Sequence, residues 1–279
     1  MTRRELWDKV YDAARSVYAE REARSYTAVV CEGRLGMRFT DVIVEPAAPC
    51  PDHEELPQIL AAIRDHCPAQ YITGFAWFLD RKFAVREGVL IPRPETEELV
   101  RMITDRCRGR SGLRVLDVGT GSGCIAVTLA AEMKQAKVVA VDVSESALEV
   151  ARENARRHRV SVDFVRCDML QEGPSGHFDL IVSNPPYVTL QEKDEMRPNV
   201  LRYEPHRALF VPDDDPLVFY RAIAEYGCRS LNPWGMLWFE LNERYGSEVA
   251  SLLEQSGYSE VAVHDDMFGK QRMAEAVWR

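Results

Sequence analysis

No run in this chain approaches the eighteen or so apolar residues that a bilayer-spanning helix needs, and the opening MTRRELWDKVYDAA is amphipathic rather than uniformly apolar. A soluble, cytoplasmic protein is expected, with no membrane partner. Positive charge is also short: 35 Lys and Arg stand against 44 Asp and Glu, a formal net charge of -9. The broad positive field that drives nonspecific nucleic-acid binding is therefore missing, and no direct nucleic-acid partner is expected. Seven cysteines, at positions 31, 50, 67, 107, 124, 167 and 228, form no C-x-x-C pair and have no histidine at metal-ligand spacing. They are expected as reduced thiols, with no metal site. There is no internal repeat and no low-complexity tract. What the chain does have is length, 279 residues with 46% apolar content, enough for one large domain and a small one.

Up to about residue 70 the apolar positions recur at helical spacing, as Leu6, Val10, Ala13, Ala14 and Val17 and again as Leu56, Ile59, Leu60 and Ile63. Residues 1–70 are expected as a small helical domain. Between 71 and 91 the runs YITGFAWFLDRKFAV and GVLIP are short and β-like, broken by Gly74 and Gly88, and predict a β-hairpin linker. From 92 to 279, strand and helix patterns alternate, which predicts an α/β domain with a doubly wound parallel sheet and a terminal hairpin. Pro94 followed by Glu95, Glu97 and Glu98 is by itself good helix-start chemistry.

VLDVGTGSGCIAV places Gly119, Gly121 and Gly123, with Thr120 and Ser122 between them, at the turn from the first sheet strand into its helix. Glycines there let the backbone bend sharply and approach a ligand. The spacing is not the dinucleotide G-x-G-x-x-G, and no P-loop lysine follows. Asp142 stands at the end of the second strand, where a carboxylate accepts hydrogen bonds from ribose hydroxyls. A nucleoside ligand without a pyrophosphate meets these demands, and S-adenosylmethionine is the candidate, leaving as S-adenosylhomocysteine. After the third strand, Asp168 and Met169 fall beside that nucleoside. Asp168 would bond the adenine and Met169 would flank it, although a plain core methionine fits the residues equally well.

The stretch SNPPYV, 183–188, ends the fourth strand of the sheet. In a sheet ordered 3-2-1-4-5, strands 1 and 4 are neighbours and ligands bind where the winding reverses. Asn184, Pro185, Pro186 and Tyr187 then converge with the glycine turn. The Asn184 amide carbonyl and the backbone carbonyl beside Pro185 offer two acceptors for one NH2 group, which would align its lone pair with an electrophilic methyl. Tyr187 offers a flat face for a planar group and, through its π cloud, roughly 0.5–2 kcal/mol of attraction for a nearby cation. Taken alone, NPPY is equally a proline-rich turn; joined to the glycines and Asp142 it becomes a reaction-site candidate.

Taken as a set, LIPRPETEELV (90–100), VLDVGTGSGCIA (115–126), SNPPYV (183–188), YEPHRAL (203–209) and FGKQR (268–272) resemble the HemK/PrmC protein-(glutamine-N5) methyltransferases. The resemblance implies a class I S-adenosylmethionine-dependent methyltransferase fold over 92–279, with an N-terminal helical domain that helps bind peptide chain release factors. It implies methylation of the glutamine of their GGQ motif. Residues 119–123, Asp142, Met169 and Asn184 would contact the cofactor, and Asn184 to Tyr187 would hold the glutamine. A role near the cofactor for IPRPETE is likewise implied by the family. The chain departs from the pattern at Met169, where many relatives carry tryptophan, and in GFAWFLDRKFAV, so linker contacts are not carried over. A monomer is expected. The alternatives are an adenine-N6 nucleic-acid methyltransferase, whose exocyclic NH2 has the same geometry, a ribosomal-protein glutamine methyltransferase, and a noncatalytic adaptor that retains the cofactor pocket.

Overall fold

A computed structural model describes all residues, Met1 to Arg279. The first helix, α1 (Arg3–Arg15), begins with a capping box in which Thr2 Oγ1 accepts the Glu5 N–H while the Glu5 carboxylate accepts the Thr2 N–H. Its stripe Leu6, Val10, Ala13 and Ala14 is buried among α2 (Glu20–Leu35), α3 (Phe39–Val44), α4 (Leu56–Arg64) and α5 (Ala69–Thr73), where Val30, Cys31, Ile59 and Ile63 complete a core. Gly36 and Gly74 close α2 and α5 in the left-handed conformation that favours glycine.

YITG, expected as the start of a β run, is instead the last turn of α5. Pro68 opens that helix and Gly74 ends it. The hairpin itself is shorter than the predicted linker: β1 (Phe75–Phe78) and β2 (Arg81–Ala84), joined by Leu79 and Asp80, both with positive φ. GVLIP, 88–92, forms no strand, because Pro92 and Pro94 cannot donate to a ladder and the next helix starts at Pro94.

Beyond the hairpin come α6 (Pro94–Arg106), β3 (Arg114–Val118), α7 (Cys124–Glu132), β4 (Lys137–Asp142), α8 (Glu145–His158), β5 (Val162–Arg166) and β6 (Phe178–Ser183). A two-stranded pair, β7 (Val188–Thr189) with β8 (Phe210–Val211), flanks α9 (Pro198–Tyr203). The chain closes with α10 (Val218–Ser230), β9 (Leu231–Glu240), α11 (Gly246–Gln255), β10 (Ser259–Asp265) and β11 (Gln271–Trp278). Seven strands form one sheet in the order β10-β11-β9-β6-β3-β4-β5, parallel except that β11 runs antiparallel to both its neighbours. The expected 3-2-1-4-5 order is present as β5-β4-β3-β6-β9.

Alternation along the strands feeds two cores. Val115, Leu180, Val182 and Trp238 pack with Leu99, Ile125 and Leu129 on one face; Leu116, Ile181, Leu237 and Phe239 pack with Tyr220, Ile223 and Val249 on the other. The central strand β6 is buried on both faces, which is why its sequence FDLIVS is almost continuously apolar.

Two compact units result. One comprises Met1–Phe75, Val85–Glu87 and Met196–Glu204; the other holds the sheet and its helices. The inclusion of 196–204 in the helical unit goes beyond the boundaries read from sequence. Arg197 pairs with Glu22 at 2.6 Å, and both Arg202 (3.0 Å) and the Tyr203 hydroxyl (2.7 Å) reach Asp65.

Candidate active site

Parallel register places Val118 of β3 opposite Ser183 of β6, so the chain leaves both strands at one point of the sheet edge. The Ser183 hydroxyl donates to the Val118 carbonyl at 2.7 Å and ties the two exits together. Gly119 and Asn184 follow directly. A side chain built on Gly119 would come to 4.0 Å from the Asn184 carbonyl oxygen, and at Gly121 it would meet no protein atom within 4 Å. All three glycines have positive φ, +72°, +56° and +80°. At Gly123 the need is packing as well: a Cβ would sit 2.9 Å from Ala151 Cβ on α8.

The turn is fixed from behind. Gly119 and Thr120 donate their N–H groups to the Val141 carbonyl, each at 2.9 Å, and Gly121 donates to Asp142 Oδ2 at 2.9 Å. The other Asp142 oxygen accepts the Ser144 N–H, while Ser144 Oγ caps α8. Burial pushes the Asp142 carboxyl above the ordinary carboxylate range, opposed by the Ser144 and Gly121 N–H groups and by the charge of Arg207. Each carboxylate oxygen keeps a further lone pair for a ligand hydroxyl. Buried Asn154 bonds the Ser122 carbonyl and both backbone groups of Ala84, so α8 holds the glycine turn and β2 together.

These groups surround a cavity that opens to solvent. Of the residues singled out in the sequence, Gly119 to Ser122, Asp142, Asp168, Met169 and Asn184 to Pro186 line it. Gly123 does not, and turns instead towards α8. Asp168 engages both oxygens in its own turn, accepting the Leu170 N–H and the Gln171 side-chain amide. Phe219 and Ile223 add apolar wall, and the GVLIP segment supplies another side through Val89 and Ile91.

Asn184 donates its amide N–H to Thr96 Oγ1 at 3.1 Å, and no protein donor reaches its Oδ1 or the Pro185 carbonyl oxygen. Tyr187 stands outside the lining. Its hydroxyl donates to the buried Glu240 carboxylate at 3.1 Å and its ring packs against the core beside α10 and α11, so the flat face expected at the ligand is turned to structural use. Burial drives the Tyr187 phenol well above its ordinary value, with the Glu240 charge adding to the shift.

Comparison with known proteins gives this arrangement its family. The chain is 43% identical over 272 residues to a release factor glutamine methyltransferase of Bacteroides thetaiotaomicron, covering 96% of this chain and 97% of that protein. A second, from Flavobacterium psychrophilum, is 40% identical over 96% of each chain. The chain belongs to the release factor glutamine methyltransferase family. Residues 95–202 match the Methyltransferase small domain model. A solved methyltransferase of Pyrococcus furiosus, 23% identical, superposes with a TM-score of 0.51 over 71% of this chain and 89% of that one, a likeness of the class I methyltransferase fold.

Two acids of this family member went unread in the sequence. Glu240 ends β9 and Asp117 lies inside β3; the available signal was a lone carboxylate beside a run of apolar residues, Val115 and Leu116 in β3 and Met236 to Phe239 in β9. Asp117 is fully buried. Its Oδ2 accepts the Thr120 hydroxyl at 2.6 Å and the Ala126 N–H at 3.1 Å, whereas its Oδ1 has no partner. Burial pushes its pKa up to about 7, against those two hydrogen bonds and with the Asp142 charge adding to the rise.

The folded state thus retains a proton that the unfolded chain releases near pH 4, and Asp117's contribution to stability is lost as pH rises towards 7. Asp117→Asn keeps an acceptor for Thr120 and Ala126 and has no proton to lose. Melting curves should match wild type at about pH 4, and the variant should be the more stable by about 3 °C or more at pH 8. Parallel melting curves across that range would refute the assignment.

Proposed function

We propose that the protein transfers a methyl group from S-adenosylmethionine to the side-chain amide nitrogen, N5, of the glutamine in the GGQ motif of peptide chain release factors. The observation that carries this reading is the pairing, in one cavity, of the glycine turn and Asp142 with two open acceptors, Asn184 Oδ1 and the Pro185 carbonyl. Family membership supports the same substrate.

The residues suit the cofactor. Asp142 has lone pairs for ribose hydroxyls, the left-handed turn at Gly119 and Gly121 leaves space where side chains would stand, and Met169, Phe219 and Ile223 give apolar wall for a base. When bound, the cofactor supplies an electrophilic methyl on a sulfonium. The chain's own part is positioning. Resonance makes an amide nitrogen a poor nucleophile, and Asn184 Oδ1 and the Pro185 carbonyl, by accepting its two hydrogens, hold it at a fixed place and angle. As the N–CH3 bond forms and the S–CH3 bond breaks, the nitrogen turns acidic and gives up one of its two protons to a neighbouring carbonyl or to water, so a dedicated base is not required beside them. Tyr187, through Glu240, braces the segment that carries both acceptors.

The helical unit would contribute to release factor recognition, with the protein acting as a cytoplasmic monomer; no helix is long and apolar enough to cross a membrane. Incubation with labelled S-adenosylmethionine and a purified release factor tests the reading. Label should enter the wild-type factor and not one carrying Gln→Ala in its GGQ loop. Equal labelling of both factors, or labelling of DNA or RNA instead, would overturn it.

A further inference from the structure

We propose that Thr96 and Glu240 form an orientation relay that decides which end of the Asn184 side-chain amide faces the cavity. The proposal deepens the function above and rests on the reading of Asn184 as the acceptor for the substrate NH2.

Thr96, on the first turn of α6, and Glu240, at the end of β9, lie 144 residues apart, and the fold buries them to 2% and 1% exposure. Thr96 Oγ1 donates to Glu240 Oε2 at 2.6 Å, and the Tyr187 hydroxyl donates to Glu240 Oε1. A threonine hydroxyl has one proton. With that proton committed to the carboxylate, Thr96 can only accept from Asn184, and the Asn184 atom that faces it must be the NH2 group. Oδ1 is thereby left for the cavity. Were Thr96 to receive a proton from its other neighbour, its own would point at Asn184 and the amide would invert, setting NH2 against the NH2 of the substrate. Glu240 does not line the cavity; Thr96 does, but its hydroxyl is engaged by Glu240 and Asn184, so both are assigned as positioning residues that act through Asn184.

The relay is tested with Thr96→Val, which keeps the shape and removes the hydroxyl, and Thr96→Ser, which keeps the hydroxyl. Thr96→Val should lower kcat on release factor by about 10- to 100-fold. Its dissociation constant for S-adenosylmethionine, measured by calorimetry, should stay within about threefold of wild type. Thr96→Ser should return kcat to within about threefold of wild type. A Thr96→Val kcat within threefold of wild type, or a Thr96→Ser variant as impaired as Thr96→Val, would overturn the relay.

A second pair of variants does not depend on Thr96→Val folding. Asn184→Asp sets a carboxylate against a hydroxyl whose proton is already taken, and should be inactive. Adding Glu240→Gln lets the Gln amide donate to Thr96 and frees the Thr96 proton for the introduced carboxylate, so the double variant should exceed Asn184→Asp by at least about tenfold. No gain would also count against the relay. Asn184→Ala separates the two claims: if it is active, the reading of Asn184 has failed, and if it is inactive while Thr96→Val is not, the relay alone has failed.

Discussion

Asn184→Ala is expected to reduce kcat on release factor by about 1000-fold or more, because it removes one of the two acceptors proposed to fix the nucleophile. S-adenosylmethionine binding should weaken by no more than about tenfold, since the glycine turn and Asp142 remain in place. The separation follows from the hydrogen bonds. Asn184 is anchored through Thr96, whereas Asp142 is held by Gly121 and Ser144, and no bond joins the two sets. The truncation would leave Thr96 without a donor on its cavity side, a loss at one hydroxyl rather than across the cofactor wall. Single-turnover rates with labelled cofactor, set beside calorimetric binding, check both halves. A variant that methylates at near wild-type rate would dispose of the assigned role for Asn184.

The parts of this site that were legible in the sequence are those whose meaning is local. Gly119, Gly121 and Gly123 sit between a strand and a helix, and a turn of that shape needs positive φ wherever it occurs. Asp142 and Asn184 close apolar runs, so strand ends could be placed and, with the winding rule, brought to one edge. Thr96 and Glu240 had no such signature. In sequence, Thr96 belongs to a well-formed helix start and Glu240 to the tail of WFELN, and only the order of strands in the sheet makes them partners. The direction of Tyr187 was hidden for the same reason, because the carboxylate that draws its hydroxyl away from the cavity comes 53 residues later. YITG illustrates a different gap: β-branched residues suggested a strand, but Pro68 and Gly74 had already bounded a helical turn.

Asp142→Ala should raise the S-adenosylmethionine dissociation constant by about 100-fold, the loss of the two charge-assisted hydrogen bonds proposed to ribose hydroxyls together with a loosened turn. Asp142→Asn should fare little better. An amide has one acceptor oxygen, and both Asp142 oxygens face backbone N–H donors, so the Asn NH2 must meet the N–H of either Gly121 or Ser144. This distinguishes the site from one that needs only a polar group of the right size. It also sets a sign for pH. Ribose hydroxyls donate best to the ionised carboxylate, and burial raises the Asp142 pKa. Affinity should therefore be full near pH 8 and decline as pH falls, beginning above the ordinary carboxylate range near 4, with binding taking place alongside proton release in that window. Calorimetry in buffers of different ionisation enthalpy reads the released protons directly. An affinity flat from pH 8 down to pH 4, or an Asp142→Asn variant that binds as wild type does, would remove the ribose from this carboxylate.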